Sequence, residues 1–183
     1  MHISGGPDVP VPQVQLLSNG RYHVMLTSAG GGYRRWKDLA VTRWREDTTC
    51  DNWGTFCYLR DVVACNAWSA THQPTLRRAD TYAAVFTIGQ ATCHRFDDGI
   101  ETHTTVAVSP DDDVELRRVR LTSNAATRRV FNVTSYAEEP AAVLGLNMRS
   151  RAECHRVGRT QSCRQGERSP CAWPGHQRLM RMA

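Results

Sequence analysis

Between residues 13 and 136, apolar side chains recur at alternate positions in short runs, and glycine, proline, asparagine and aspartate punctuate the runs. Period two places successive side chains on opposite faces of a strand. The pattern predicts strands near 13–17, 21–28, 33–36, 39–45, 53–60, 67–71, 82–88, 91–96, 100–108, 114–123 and 127–136. Ile100, Thr102, Thr104, Val106 and Val108 share one face, opposed by Glu101, His103, Thr105 and Ala107. Asp97, Asp98 and Gly99 before them form a hairpin signal, because Gly99 tolerates positive φ. Ile88–Gly89–Gln90 is a shorter turn of that kind, and residues 109–113 (SPDDD) make another. In residues 114–122 (VELRRVRLT) the phase breaks: Val114 and Leu116 fall on one face, Val119 and Leu121 on the other. A bulge near Arg117 and Arg118, or a change of strand partner, is the expected repair. No long run keeps a period of 3.6 residues before residue 136. The expected fold is all-β, with antiparallel sheets packed face to face.

Residues 20–46 (GRYHVMLTSAGGGYRRWKDLAVTRWRE) organise the rest. Tyr22, Val24 and Leu26 share a face, with His23, Met25 and Thr27 behind them. Gly30, Gly31 and Gly32 then open dihedrals closed to other residues and let backbone approach a neighbour closely. Tyr33, Trp36 and Trp44 follow among Arg34, Arg35, Lys37, Arg43 and Arg45. Aromatic faces beside amide and guanidinium donors suit a sugar ring. The plainer alternative is a sandwich hairpin with core aromatics and solvated arginines. Residues 53–61 (WGTFCYLRD) carry large apolar side chains on both faces, which implies burial between two layers or a surface awaiting a partner.

The 183 residues suffice for one domain with a real core and are few for two. The net charge of +5 divides unevenly. Residues 1–139 hold 15 Arg plus Lys against 16 Asp plus Glu, and residues 140–183 hold 8 Arg against 2 Glu. The basic excess therefore lies in the least patterned part, and no nucleic-acid partner is expected. Residues 1–12, rich in glycine and proline, read as a linker. The seven cysteines show no CxxC or metal spacing and are read as reduced thiols. His23, His72, His94 and His103 form no HxH or HExxH arrangement, although His94 and His103 could face each other across the 97–99 hairpin as a polar pair. The triple glycine lacks the Lys–Ser/Thr pair of a phosphate loop, and no cofactor or metal is expected. Asp38, Asp47, Asp51 and Asp61 are read as surface ion pairs or local caps. The N-terminus has no signal-peptide core and no stretch reaches membrane-span length. The expected location is the cytoplasm, with an inner-membrane-anchored parent compatible with it.

The blocks NGRYHVMLTSAGGGYRRWKDLAVTRWRED, DNWGTFCYLRD, WSATHQPT, GIETHTTVAVSPDDDVELRRVRLTS and VTSYAE resemble one protein region, in a likeness that covers about residues 13–138. It is the N-terminal β-sandwich of the inverting carbohydrate phosphorylases of glycoside hydrolase family 94, formerly glycosyltransferase family 36. The likeness is strongest to the phosphorylase-like C-terminal region of cyclic β-1,2-glucan synthetases. It implies a β-supersandwich of the galactose-mutarotase kind, joined in an intact parent to an (α/α)6 barrel that carries the catalytic aspartate and the phosphate site. No residue here matches that acid, so no catalytic residue is assigned. What carries over is the glycine turn: Gly31, Gly32, Tyr33, Arg34 and Trp36 are the expected carbohydrate-contacting or cleft-shaping residues, with Arg34 standing where relatives commonly have serine. The implied partners are a β-glucan or related oligosaccharide, the barrel, and a second copy in the intact protein. After Glu138 the likeness gives way to an arginine–cysteine tail, so residues 139–183 are expected to be frameshifted or disordered. The resulting expectation is a non-catalytic carbohydrate-binding or scaffold fragment, inactive alone. A free-standing carbohydrate-binding module, a purely structural scaffold and nucleic-acid binding through the basic tail are the alternatives.

Overall fold

Short alternating runs rich in β-branched and aromatic residues become strands here because glycine and aspartate turns separate them at nearly every predicted place. The computed structural model describes residues 2–4, 6–7, 13–44, 52–124, 126–127 and 129–137. Among these it has twelve strands and no helix: β1 (His2–Ser4), β2 (Val14–Ser18), β3 (Tyr22–Thr27), β4 (Gly32–Trp36), β5 (Leu39–Ala40), β6 (Thr55–Asp61), β7 (Ala67–Ser69), β8 (Thr81–Thr87), β9 (Gln90–Asp97), β10 (Ile100–Val108), β11 (Glu115–Ser123) and β12 (Phe131–Ala137). Every pairing is antiparallel.

The strands form three sheets: β1-β8-β9-β10-β11, β12-β6-β7 and β2-β3-β4-β5. The five-stranded sheet makes one layer, and the other two lie against it. Leu17, Tyr22, Val24 and Leu26 of the four-stranded sheet bury against Ala84, Phe86, Ala91, Cys93 and Val106. Cys57, Leu59, Trp68 and Ala70, on or beside the three-stranded sheet, bury together with Phe131 of β12 against Val119 and Leu121 of β11. Trp68 meets Phe131 edge-on at 6.0 Å, a favoured aromatic geometry. The predicted burial of residues 53–61 on both faces is found: Phe56, Cys57, Tyr58 and Leu59 are all buried.

Two readings are corrected. Three residues of the stretch read as a linker, His2–Ser4, form β1 and pair with Ala84–Phe86. A three-residue strand followed at once by Gly5, Gly6 and Pro7 leaves no periodicity to detect. The expected bulge in β11 is also absent, since its register with β10 runs unbroken from Ile100↔Ser123 to Val108↔Glu115. The inward residues of β11 are Glu115, Arg117, Val119 and Leu121, while Leu116 is exposed. The phase broke because two inward positions carry charge, not because the strand does. The tail expected to be frameshifted or disordered, residues 139–183, lies outside the described residues.

Candidate functional site

The glycine turn is built into the interior. Residues 27–32 are all buried. Gly30 N–H donates to the Thr27 carbonyl at 2.9 Å, Gly31 N–H to Thr27 Oγ1 at 3.0 Å, and Gly32 N–H to the Trp53 carbonyl at 2.8 Å. All three glycine amides are therefore engaged internally, and none forms an anion cradle. Gly30 (φ 95°) and Gly32 (φ 149°) hold backbone that side chains rarely adopt. A Cβ at Gly30 would drive into Thr71, and one at Gly32 into the Met25 carbonyl. The triple glycine thus provides the close approach foreseen for it, and what approaches is the fold itself.

Strand β4 then sorts the named residues by alternation. Gly32, Arg34 and Trp36 lie on the inner side, and Tyr33 and Arg35 on the outer side. Arg34 is only 5% exposed. Its Nε–H donates to Glu115 Oε2 and its Nη2 to Glu115 Oε1 at 2.9 Å, a two-pronged pair. Arg117 donates to Glu115 Oε1 through Nε at 3.2 Å and Nη2 at 3.1 Å, and its Nη1 reaches the Thr55 carbonyl. Burial pushes the Glu115 carboxyl up, but the two guanidiniums outweigh it and bring it down to about 2. Burial and the Glu115 charge together raise the neighbouring Tyr22 to about 12. This cluster takes members from all three sheets.

Trp36 is half-buried beside the core shared with the four-stranded sheet. Its Nε1–H donates to Asp113 Oδ2 at 2.7 Å, and the Lys37 ammonium stands 4.7 Å from its ring centre. Asp113 also accepts from Arg21 Nε at 3.0 Å and Asn19 Nδ2 at 3.1 Å. Trp36 and these donors hold its carboxyl below the usual range and staple the 109–113 turn to the edge of β3 and β4.

Tyr33 takes the opposite direction. Its ring lies 5.4 Å from that of Trp44, inclined by 59°, and Trp44 is 41% exposed. The register continues the outward row across the sheet, Leu16↔Met25↔Tyr33, with Leu16 at 64% exposure. One pair along runs a polar row, Ser18↔His23↔Arg35, in which Ser18 Oγ and His23 Nδ1 are 2.8 Å apart. Of the five residues expected at the site, Tyr33 alone faces outward in company with other exposed aromatic and apolar groups. Gly31, Gly32 and Arg34 lie behind it, and Trp36 sits at the inner edge. Leu16 and Met25 were missed because cross-strand register brings them there; the alternation of β4 could have separated Tyr33 from Arg34 and Trp36 at once.

The acidic residues have local roles. Asp61, expected at the surface or in a cap, is buried and accepts from the Val63 and Ala64 amides and from Arg129 Nε at 2.7 Å. Asp97, read as a turn residue, is buried with Arg95, whose guanidinium also donates to the Thr71 and Arg77 carbonyls. Asp38 is exposed beside Arg35, while Asp47 and Asp51 lie outside the described residues.

The family model for the glycosyl hydrolase 94 supersandwich domain matches residues 1–161, and this chain belongs to that family. The match runs past residue 138, where the likeness in the sequence blocks stopped. The chain is 44% identical over 138 residues to the cyclic beta-(1,2)-glucan synthase NdvB of Rhizobium meliloti (strain 1021), a match covering 70% of this chain and 4% of that protein. It is 26% identical over 137 residues to the N,N'-diacetylchitobiose phosphorylase of Vibrio proteolyticus and 25% identical to that of Vibrio furnissii. Each phosphorylase match covers 72% of this chain and 17% of the relative. The chain thus spans a small part of the length of these relatives. No helix among the described residues is long and apolar enough to cross a membrane.

Proposed function

We propose that this supersandwich domain serves a β-glucan-processing protein as a non-catalytic scaffold, and that it contacts sugar through the outer face of β2, β3 and β4. In an intact parent it would brace an (α/α)6 barrel, and a second copy could share the cleft. The observation that carries the reading is the pair of parallel rows on that face. Leu16, Met25, Tyr33 and Trp44 offer apolar surface for the flat side of pyranose rings. Ser18, His23 and Arg35 run beside them with hydrogen-bonding groups for hydroxyls. Gly31 and Gly32 set the turn that aims Tyr33, Arg34 anchors β4 from behind, and Trp36 fixes its far end.

Titrating linear β-1,2-gluco-oligosaccharides into the labelled protein tests this. Amide shifts should cluster on residues 14–18, 23–25 and 33–35, and both Tyr33→Ala and Trp44→Ala should abolish them without changing the thermal midpoint. A folded wild-type protein whose spectrum ignores the sugar would overturn the binding part. A second reading, a purely structural scaffold, is favoured by the burial of Gly32 and Arg34; it would gain if no sugar shifts were seen while Gly32→Ala unfolded the chain.

A further inference from the structure

The hairpin between β9 and β10 turns on Asp98 and Gly99, both at positive φ (48° and 76°), with Asp97↔Ile100 closing it. This is the two-residue type I′ turn, whose closing pair exchanges both backbone hydrogen bonds. Bonded and non-bonded pairs then alternate up the ladder. Phe96↔Glu101 is non-bonded, Arg95↔Thr102 bonded and His94↔His103 non-bonded. Non-bonded partners come closest, with Cα atoms about 4.5 Å apart against about 5.5 Å. The turn type therefore pushes two imidazoles together on the outer face of the five-stranded sheet. Their ring centres stand 4.0 Å apart with a 29° tilt.

We infer that His94 and His103 form a binding site for a divalent transition-metal ion of the zinc or nickel class, a clip across the β9–β10 hairpin. Imidazole nitrogens are good ligands for these ions. Two nitrogens each about 2.1 Å from one tetrahedral ion stand about 3.4 Å apart; ring centres at 4.0 Å put the imidazoles within that reach, and both rings must turn out of their stack for the in-plane lone pairs to converge on the ion. Among the described residues neither ring is engaged in a hydrogen bond, which leaves nitrogen lone pairs open. On the β8 side His94 is flanked by Ala83, whose small side chain leaves the approach clear.

The charges around the pair are mixed. Glu101 stands on the same face one cross-strand pair away, Arg120 lies opposite His103, and Arg118 lies opposite Thr105. The arginines weaken cation binding, so moderate salt should strengthen it by screening them. Among the described residues no group of three or more ligating side chains assembles. The site therefore has two protein ligands, with water completing the shell. This inference is independent of the sugar reading.

The test titrates Ni2+ into the full chain with its accessible cysteines alkylated under native conditions and follows the histidine ring resonances. His94 and His103 should broaden together, at concentrations that leave the Ser18-bonded His23 and the buried His72 sharp. In His94→Gln, His103 should need about tenfold more Ni2+ or beyond, a loss of about 1.4 kcal/mol. Protection of the Thr102 amide in the variant confirms an intact hairpin. Broadening of the His23 and His72 rings together with this pair, or an unchanged His103 response in the variant, would overturn the site.

Discussion

Glu115 on β11 ties the five-stranded sheet to β4 through Arg34. It sits inside the molecule between Arg34 and Arg117, and Arg117 reaches on to the Thr55 carbonyl. Removing one partner of a buried ion pair leaves charge without compensation, typically about 3–5 kcal/mol. Glu115→Gln should therefore lower the stability of the domain by that order in a urea titration at neutral pH. The pH dependence has a definite sign. A carboxyl held at about 2 instead of its ordinary 4.5 stabilises the fold above 4.5, and that stability is lost as pH falls toward 2. The same urea titration between pH 5 and pH 3 should show a steep fall in the wild type and a shallower one in the variant. Parallel curves would mean that another carboxylate dominates the acid limb. The sequence could not announce this cluster. It showed a strand whose apolar phase failed, and the readings then available were a bulge or a partner switch. Charge at an inward position looks identical to a phase slip until Arg34, far away in the chain, is seen to meet it.

Hairpins were the most legible elements. Asp98 and Gly99 were recognisable from composition because only certain residues accept positive φ, and the observed turn has positive φ at both. Once a two-residue turn is fixed, every partner along β9 and β10 follows, including the His94–His103 stack. Its lowered histidine makes a prediction with the opposite chemistry to Glu115. Burial first, then His94 and Arg120, disfavour the protonated form of His103. Its contribution is complete above the ordinary imidazole value of 6.5 and is lost as pH falls through the lower folded value. With a chelator present, the thermal midpoint should decline between pH 7 and pH 5, and His103→Gln should flatten that decline. An unchanged slope would assign it elsewhere. Strand β4 was less legible, although its residues were singled out. Five positions were grouped by closeness in sequence, whereas a strand sends neighbours to opposite faces. Tyr33 looks outward to Trp44, and Arg34 and Trp36 look inward.

At the scale of the molecule, one five-stranded layer carries two smaller sheets, and the joint between them runs through Gly32. Its amide donates to the Trp53 carbonyl, and Gly54 packs beside it, each glycine at positive φ. Gly32→Ala would force a Cβ against the Met25 carbonyl while straining φ. The expected cost is about 3 kcal/mol or more, read as a drop in the denaturation midpoint. Because the joint serves both small sheets, the fluorescence of Trp36 and of Trp68 should report the same lowered transition. Normal stability in this variant would show that the two sheets hold together by other means.

Period-two alternation and glycine–aspartate turns determined the all-β class, ten of the eleven strand positions in close outline and the family, because these are local properties that each segment expresses alone. Tertiary structure decided what the alternation served. It assigned Arg34, Glu115 and Arg117 to the interior, gave Trp36 to Asp113, added the edge strand β1, and ranked Leu16, Met25, Tyr33 and Trp44 in one row. The physical reason is register. Which residues stand opposite one another depends on how separate strands slide into pairing, and burial of a charge depends on finding its counterion across a sheet.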